Sequence, residues 1–169
     1  FGEINLCDMD ALIIKKLGPV YSADLLDRLE ILRFIRHKGV RIFSDPDSLA
    51  RAIDRISGTM TLRMAGIPMP PTIITEDTGK ALTALDRFEE AVFKPVYGSK
   101  ARGMRVIARD GGAPGEIEAF KQDGNPVMYV QKKLKLPGRD LGLGFLGGEY
   151  LGTYARIADW DSWNTTIRS

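Results

Sequence analysis

The sequence has one cysteine, Cys7, and one histidine, His37, among 169 residues. A lone thiol excludes an intrachain disulfide, and a lone imidazole excludes a histidine-rich metal centre. Cysteine this sparse fits a reducing compartment, and a cytoplasmic location is expected. Long apolar runs are also lacking: residues 11–14 form a typical stretch, far short of the roughly 18 residues that suggest a membrane span. No membrane partner is expected. Neither sign of charge dominates, with 24 Lys plus Arg against 22 Asp plus Glu and a net charge of +2, so charge alone does not choose between a nucleic acid and a nucleotide as partner. Aromatics amount to 8% and do not interleave with the cations around Lys100 and Lys132. A nucleic-acid surface therefore ranks below the other readings.

What is present is ordinary globular material, 44% hydrophobic and 27% charged, with no repeat and no low-complexity segment. A chain of this size buries roughly 70% of its unfolded surface without staples. Periodicity predicts a strand over 11–14, a helix over 24–38 ending at Gly39, and a strand over 40–43, which together make a parallel crossover unit. Two strands rarely make a domain, so this piece reads as the end of a larger α/β domain. Ser44-Asp45-Pro46 starts a helix expected over 47–56, and a second short helix covers 59–65. Ile67-Pro68-Met69-Pro70-Pro71-Thr72 is a stiff extended boundary, because proline removes donors and bars helix. Beyond it a strand (72–75), a helix (78–88), two strands (91–94 and 104–108), a helix (114–121) and a strand (127–132) follow. Two antiparallel strands, 141–146 and 149–154, meet at Gly147-Gly148.

Two phosphate patterns are partly matched. Residues 98–103 fit the first six positions of a Walker loop, but Met104-Arg105 stands where Lys and Ser or Thr are needed. Residues 142–147 fit a dinucleotide pattern, yet Gly152, Thr153 and two tyrosines follow instead of a good helix, so a hairpin is the better reading. The 98–103 loop keeps phosphate chemistry of its own. Its glycines let backbone amides approach an anion, Ser99, Lys100 and Arg102 add donors, and Lys94 ends the strand entering it. Pattern alone leaves a surface hairpin with incidental cations equally open.

The order of several features resembles a known family. Asp54-Arg55, the 66–72 boundary, Phe93-Lys94-Pro95-Val96-Tyr97-Gly98-Ser99-Lys100-Ala101-Arg102-Gly103-Met104, then Val130-Gln131-Lys132-Lys133-Leu134 and Gly138-Arg139-Asp140 resemble an ATP-grasp ligase, closest to the RimK-type α-L-glutamate ligases. The resemblance runs from about residue 10 to 169, and residues 94–104 are its most specific part. It implies an α/β chain with the α+β ATP-grasp fold. The expected parts are the end of a parallel-sheet N-terminal domain (1–45), the small ATP-grasp lobe with its preceding helices (46–134), and the start of the second lobe (135–169).

The resemblance also implies roles. Lys94 would hold ATP phosphates, with Arg55 standing where many relatives carry a phosphate-facing lysine. The 98–103 loop, with Ser99 and Arg102, would be a lid. Gln131, Lys132, Lys133 and Leu134 would hold the adenine through backbone and apolar contacts, and Asp140 would accept from the ribose hydroxyls. Arg156 would be the catalytic cation facing substrate or phosphates. Asn164, Thr165 and Thr166 stand where relatives show Arg-Ser-Asn and keep hydrogen-bonding capacity. Asp140-Leu141-Gly142 replaces the family's Asp-Ile-Arg, and Lys132 replaces a common acid. The implied cofactors are ATP and magnesium, whose carboxylate ligands are expected beyond Ser169, and the chain reads as a middle section of a longer enzyme. The implied reaction activates a carboxylate with ATP to an acyl phosphate, which an amine attacks. Glutamate or a similar amino acid would supply the amine and a small molecule, coenzyme or peptide would be the acceptor. A homo-oligomer is left open, and a non-catalytic ATP-binding module is the rival reading.

Overall fold

A computed structural model describes residues 4–18, 21–98, 101–158, 163 and 165. Ser99, Lys100, Asn164 and Thr166, singled out above, lie outside these residues. The first unit is β1 (Ala11–Ile13), α1 (Asp24–His37) and β2 (Arg41–Phe43), with the two strands paired in parallel as expected. Gly39, at φ +99°, turns the chain out of α1 in a conformation that favours glycine. Leu25 and Leu29 on α1 bury against Ile53 of the next helix, while Arg33 and Arg36 pair with Asp47 across the same helix pair.

That next helix corrects one expectation. The 47–56 helix ends earlier, as α2 (Pro46–Ile53), and α3 (Arg55–Met64) begins at once. Asp54 separates them with an extended backbone (φ −86°, ψ 106°), and its carboxylate accepts from the Ile56 N–H at 2.9 Å. Such a cap stabilises the start of a helix by satisfying a free amide. The break is imposed from outside: the Arg55 N–H donates to the Val96 carbonyl at 2.9 Å, and Asp54 bridges Tyr97.

The central unit is a four-stranded antiparallel sheet of β3 (Thr72–Thr75), β4 (Glu90–Lys94), β5 (Arg105–Ala108) and β6 (Met128–Lys132), in the order β3-β6-β4-β5. Helices α4 (Thr78–Phe88) and α5 (Ala113–Gln122) cover one face. Strand side chains alternate between faces. Phe93, Ile107, Met128 and Val130 therefore point into a core with Leu85, Ile117 and Phe120, where Phe93 and Phe120 meet edge to face at 5.6 Å. Lys94, Tyr129 and Gln131 belong to the other face. A hairpin of β7 (Arg139–Leu146) and β8 (Glu149–Ile157) completes the described elements. It overturns any dinucleotide reading of 142–147, since those glycines lie in a strand and its turn. Among the described residues, no helix is long and apolar enough to cross a membrane.

Candidate functional site

Register brings the first group of candidates together. Lys94 on β4 lies opposite Tyr129 on β6, and Gln131 lies opposite Thr72 on β3 and Val92 on β4. Diagonal neighbours on one sheet face are within reach of long side chains. Accordingly, Lys94 Nζ donates to Gln131 Oε1 at 2.6 Å. The Gln131 amide donates in turn to Thr72 Oγ1 at 2.9 Å, and the Thr72 hydroxyl donates to the Pro70 carbonyl at 2.8 Å. This relay fixes the ammonium from behind.

Arg55 arrives from the start of α3, held there by the backbone bridge to Val96. Its Nε donates to the Pro95 carbonyl at 2.9 Å. Both cations approach the Tyr129 ring, each 5.8 Å from its centroid. The Tyr129 hydroxyl shares a 2.9 Å hydrogen bond with Thr59 of α3. Tyr129, Thr59 and Gln131 are buried, and Arg55 and Lys94 are half-buried. Among the described residues neither cation forms an ion pair. Burial, reinforced by the nearby Arg55 charge, pushes the Lys94 ammonium down to about 8. Burial likewise lowers the Arg55 value, opposed by Tyr129. Two partly desolvated cations without a carboxylate make a place suited to an anion.

The loop after β4 brings Gly103 back against Pro95. Gly103 has φ +68°, and a Cβ there would stand 3.0 Å from Pro95 Cγ, so both its conformation and the tight fit favour glycine. Arg102 is exposed and does not join the Tyr129 cluster. It lines a cleft of about 980 Å³ with Tyr21, Ile56, Pro95 and Tyr97.

The remaining candidates fall elsewhere. Lys133 pairs with Glu90 at 3.1 Å, and Lys132 and Leu134 are exposed. The Lys132 and Lys133 N–H groups already donate to the Pro71 and Glu90 carbonyls. Asp140 and Arg156, opposite each other across the hairpin, form a two-point pair with both contacts at 2.7 Å, and the Thr165 hydroxyl donates to the same carboxylate at 2.6 Å. The Arg156 guanidinium and the Thr165 hydroxyl hold the Asp140 carboxyl below the usual value. Sequence reasoning missed Tyr129, Thr59 and Thr72. A polar residue at every second place in an otherwise apolar strand, Tyr129 then Gln131, was the available signal.

No family model matches the chain. Individual proteins do. The tetrahydromethanopterin:alpha-L-glutamate ligase of Methanosarcina acetivorans is 31% identical over 96% of this chain and 53% of its own length. The chain thus spans about half the length of the curated relatives it matches. Among solved structures, D-cycloserine synthetase superposes with a TM-score of 0.69 at 17% identity, over 98% of this chain and 65% of that one. A RimK domain ATP-grasp protein from Sphaerobacter thermophilus gives 0.62 at 17% identity, over 79% and 51%. The resemblance carried by the motifs is borne out, and the mixed α/β fold is that of the ATP-grasp ligases.

Proposed function

We propose that this chain, an ATP-grasp chain similar to the RimK-type glutamate ligases, grips nucleotide phosphates for an ATP-dependent carboxylate–amine ligase that adds glutamate, or a similar amino acid, to a small-molecule, coenzyme or peptide acceptor. The observation that carries this reading is the pair of half-buried cations, Arg55 and Lys94, gathered on one tyrosine ring with no carboxylate partner among the described residues. Such a site attracts an oligophosphate: Lys94 supplies a point charge, and Arg55 supplies a planar fork suited to phosphate oxygens.

In the reaction as we read it, a carboxylate oxygen of the acceptor attacks the γ-phosphorus of ATP, and the bond to the β,γ-bridging oxygen breaks to release ADP. The amine then attacks the acyl phosphate, phosphate leaves with its electron pair, and the amine sheds a proton. No protein nucleophile is needed. Arg55 and Lys94 hold the phosphates and offset the charge that moves onto ADP. Arg102 and the 98–103 loop, including Ser99, cover the phosphates and keep water away. The Leu134 N–H, next to amides already spoken for, is the donor we assign to the adenine edge, within the Gln131 to Leu134 stretch. Asp140 is assigned to the ribose and Arg156 to the reacting groups, and Asn164, Thr165 and Thr166 are assigned hydrogen-bonding roles toward the nucleotide. Ribose binding would require Asp140 to share its oxygens with Arg156 and Thr165.

Magnesium bound with ATP would supply charge neutralisation. Among the described residues no three His, Cys, Asp or Glu side chains come together to hold a metal. They do not fit a magnesium site of their own.

The test is to incubate the full protein with ATP, magnesium, glutamate and candidate acceptors and to measure ADP. Release that requires both glutamate and an acceptor supports the ligase. Nucleotide binding without turnover for any pair supports the binding module instead.

A further inference from the structure

We propose that Tyr129 is a positioning residue of the phosphate site, whose ring keeps Arg55 and Lys94 together and charged before any phosphate arrives. The inference rests on the nucleotide reading above and goes one step behind it, to what makes the site ready.

Like charges drawn together in a half-buried place repel each other and lose hydration, and both effects favour loss of a proton or separation of the side chains. Lys94 is faced by Arg55 from α3 and by Tyr129 and Gln131 from β6; among the described residues no carboxylate forms an ion pair with it. What opposes the repulsion is an aromatic face. Both cations lie within the roughly 6 Å over which a ring quadrupole attracts a cation, a pull that strengthens on desolvation. The ring is also not free to turn away. Tyr129 is only 2% exposed, its hydroxyl is bound to Thr59 at 2.9 Å, and the Gln131 amide approaches the same hydroxyl at 3.4 Å. α3 therefore contributes twice: through Arg55, and through the Thr59 hydroxyl that holds the ring.

Ring and hydroxyl can be separated by substitution. Tyr129→Phe keeps the π-face and removes the link to Thr59; Tyr129→Leu and Tyr129→Met remove the face while keeping an apolar side chain of comparable bulk. Lys94 is titrated in nucleotide-free protein by NMR of the lysine ε-carbon, assigned with Lys94→Met. A merely structural tyrosine would not move that titration. We expect a wild-type midpoint near 8, a fall of about half to one unit in Tyr129→Leu and Tyr129→Met, and a clearly smaller fall in Tyr129→Phe, which keeps the ring in its buried slot but loses its tie to Thr59. The pH above which ATP affinity declines should fall by the same interval. If Tyr129→Leu does not fold, as judged from its backbone amide spectrum, Tyr129→Met carries the comparison. An unchanged midpoint in the folded leucine or methionine variant overturns the proposal, as does a phenylalanine variant that shifts equally far. If the titrations behave as expected while wild-type protein binds no ATP, the positioning role stands and the nucleotide reading fails.

Discussion

Lys94 Nζ donates to Gln131 Oε1 at 2.6 Å, so a neutral amide, and among the described residues no carboxylate, holds the ammonium. An amide acceptor leaves the positive charge uncancelled, whereas a carboxylate would not. That distinction matters for a site meant to receive an anion, and it is open to experiment.

Gln131→Glu places a carboxylate where the amide was. The new pair favours the charged lysine, so the Lys94 titration should move upward from about 8. The same pair competes with phosphate, and ATP should bind more weakly in spite of the better-charged lysine. Lysine-selective NMR and calorimetric ATP titration check the two directions together; tighter ATP binding would contradict the phosphate role.

Lys94→Met should separate binding from stability. Because the folded value of Lys94 lies near 8 and its ordinary value is 10.5, the unfolded chain binds the proton more tightly. The wild type should therefore gain stability as pH rises between 8 and 10.5, as the penalty for burying the charge is removed. Lys94→Met lacks this group's contribution. In urea unfolding at a series of pH values, the variant's advantage over wild type should be largest below pH 8 and shrink above it.

Binding of ATP should take up protons near pH 8. A phosphate beside Lys94 raises its pKa, so a lysine half-deprotonated in the free protein gains a proton in the complex. Calorimetry in buffers of different ionisation enthalpy measures the number taken up. It should rise through pH 8, peak above it between the free and bound values, and fall strongly in Lys94→Met.

Much of this architecture was legible in the sequence, and the exceptions have a common cause. The strand at 72–75 and the helix at 78–88 were placed correctly because local signals agree: apolar spacing, and an Asp77 cap accepting from the Lys80 N–H at 2.9 Å. The break at Asp54 was missed because helical periodicity continues across it, and the interruption comes from Val96 and Tyr97, about 40 residues away in the chain. Lys94 was found from its place before a glycine loop. Tyr129 was not, because its meeting with Arg55 and Lys94 follows from strand register and from the docking of α3, neither of which is written in any local window. The family pattern also grouped Asp140 and Arg156 with the nucleotide, but it carried no hint that they bind each other at 2.7 Å.

The core of the central sheet and the exposed hairpin should respond differently to substitution. Phe93 is fully buried against Phe120, and Phe93→Ala should cost about 3–5 kcal/mol in urea unfolding. Leu143 on the hairpin is 58% exposed, and Leu143→Ser should change stability by no more than about 0.5 kcal/mol. Equal losses would contradict the placement of the core.

The most direct measurement is a calorimetric titration of the full protein with ATP at pH 7, compared with Lys94→Met under the same conditions. A charge-assisted contact to phosphate contributes about 1.5–3 kcal/mol, so affinity should fall about tenfold or more in a variant that still unfolds cooperatively. Unchanged affinity in that folded variant, or no ATP binding by the wild type, would contradict the assignment of Lys94 to the phosphates.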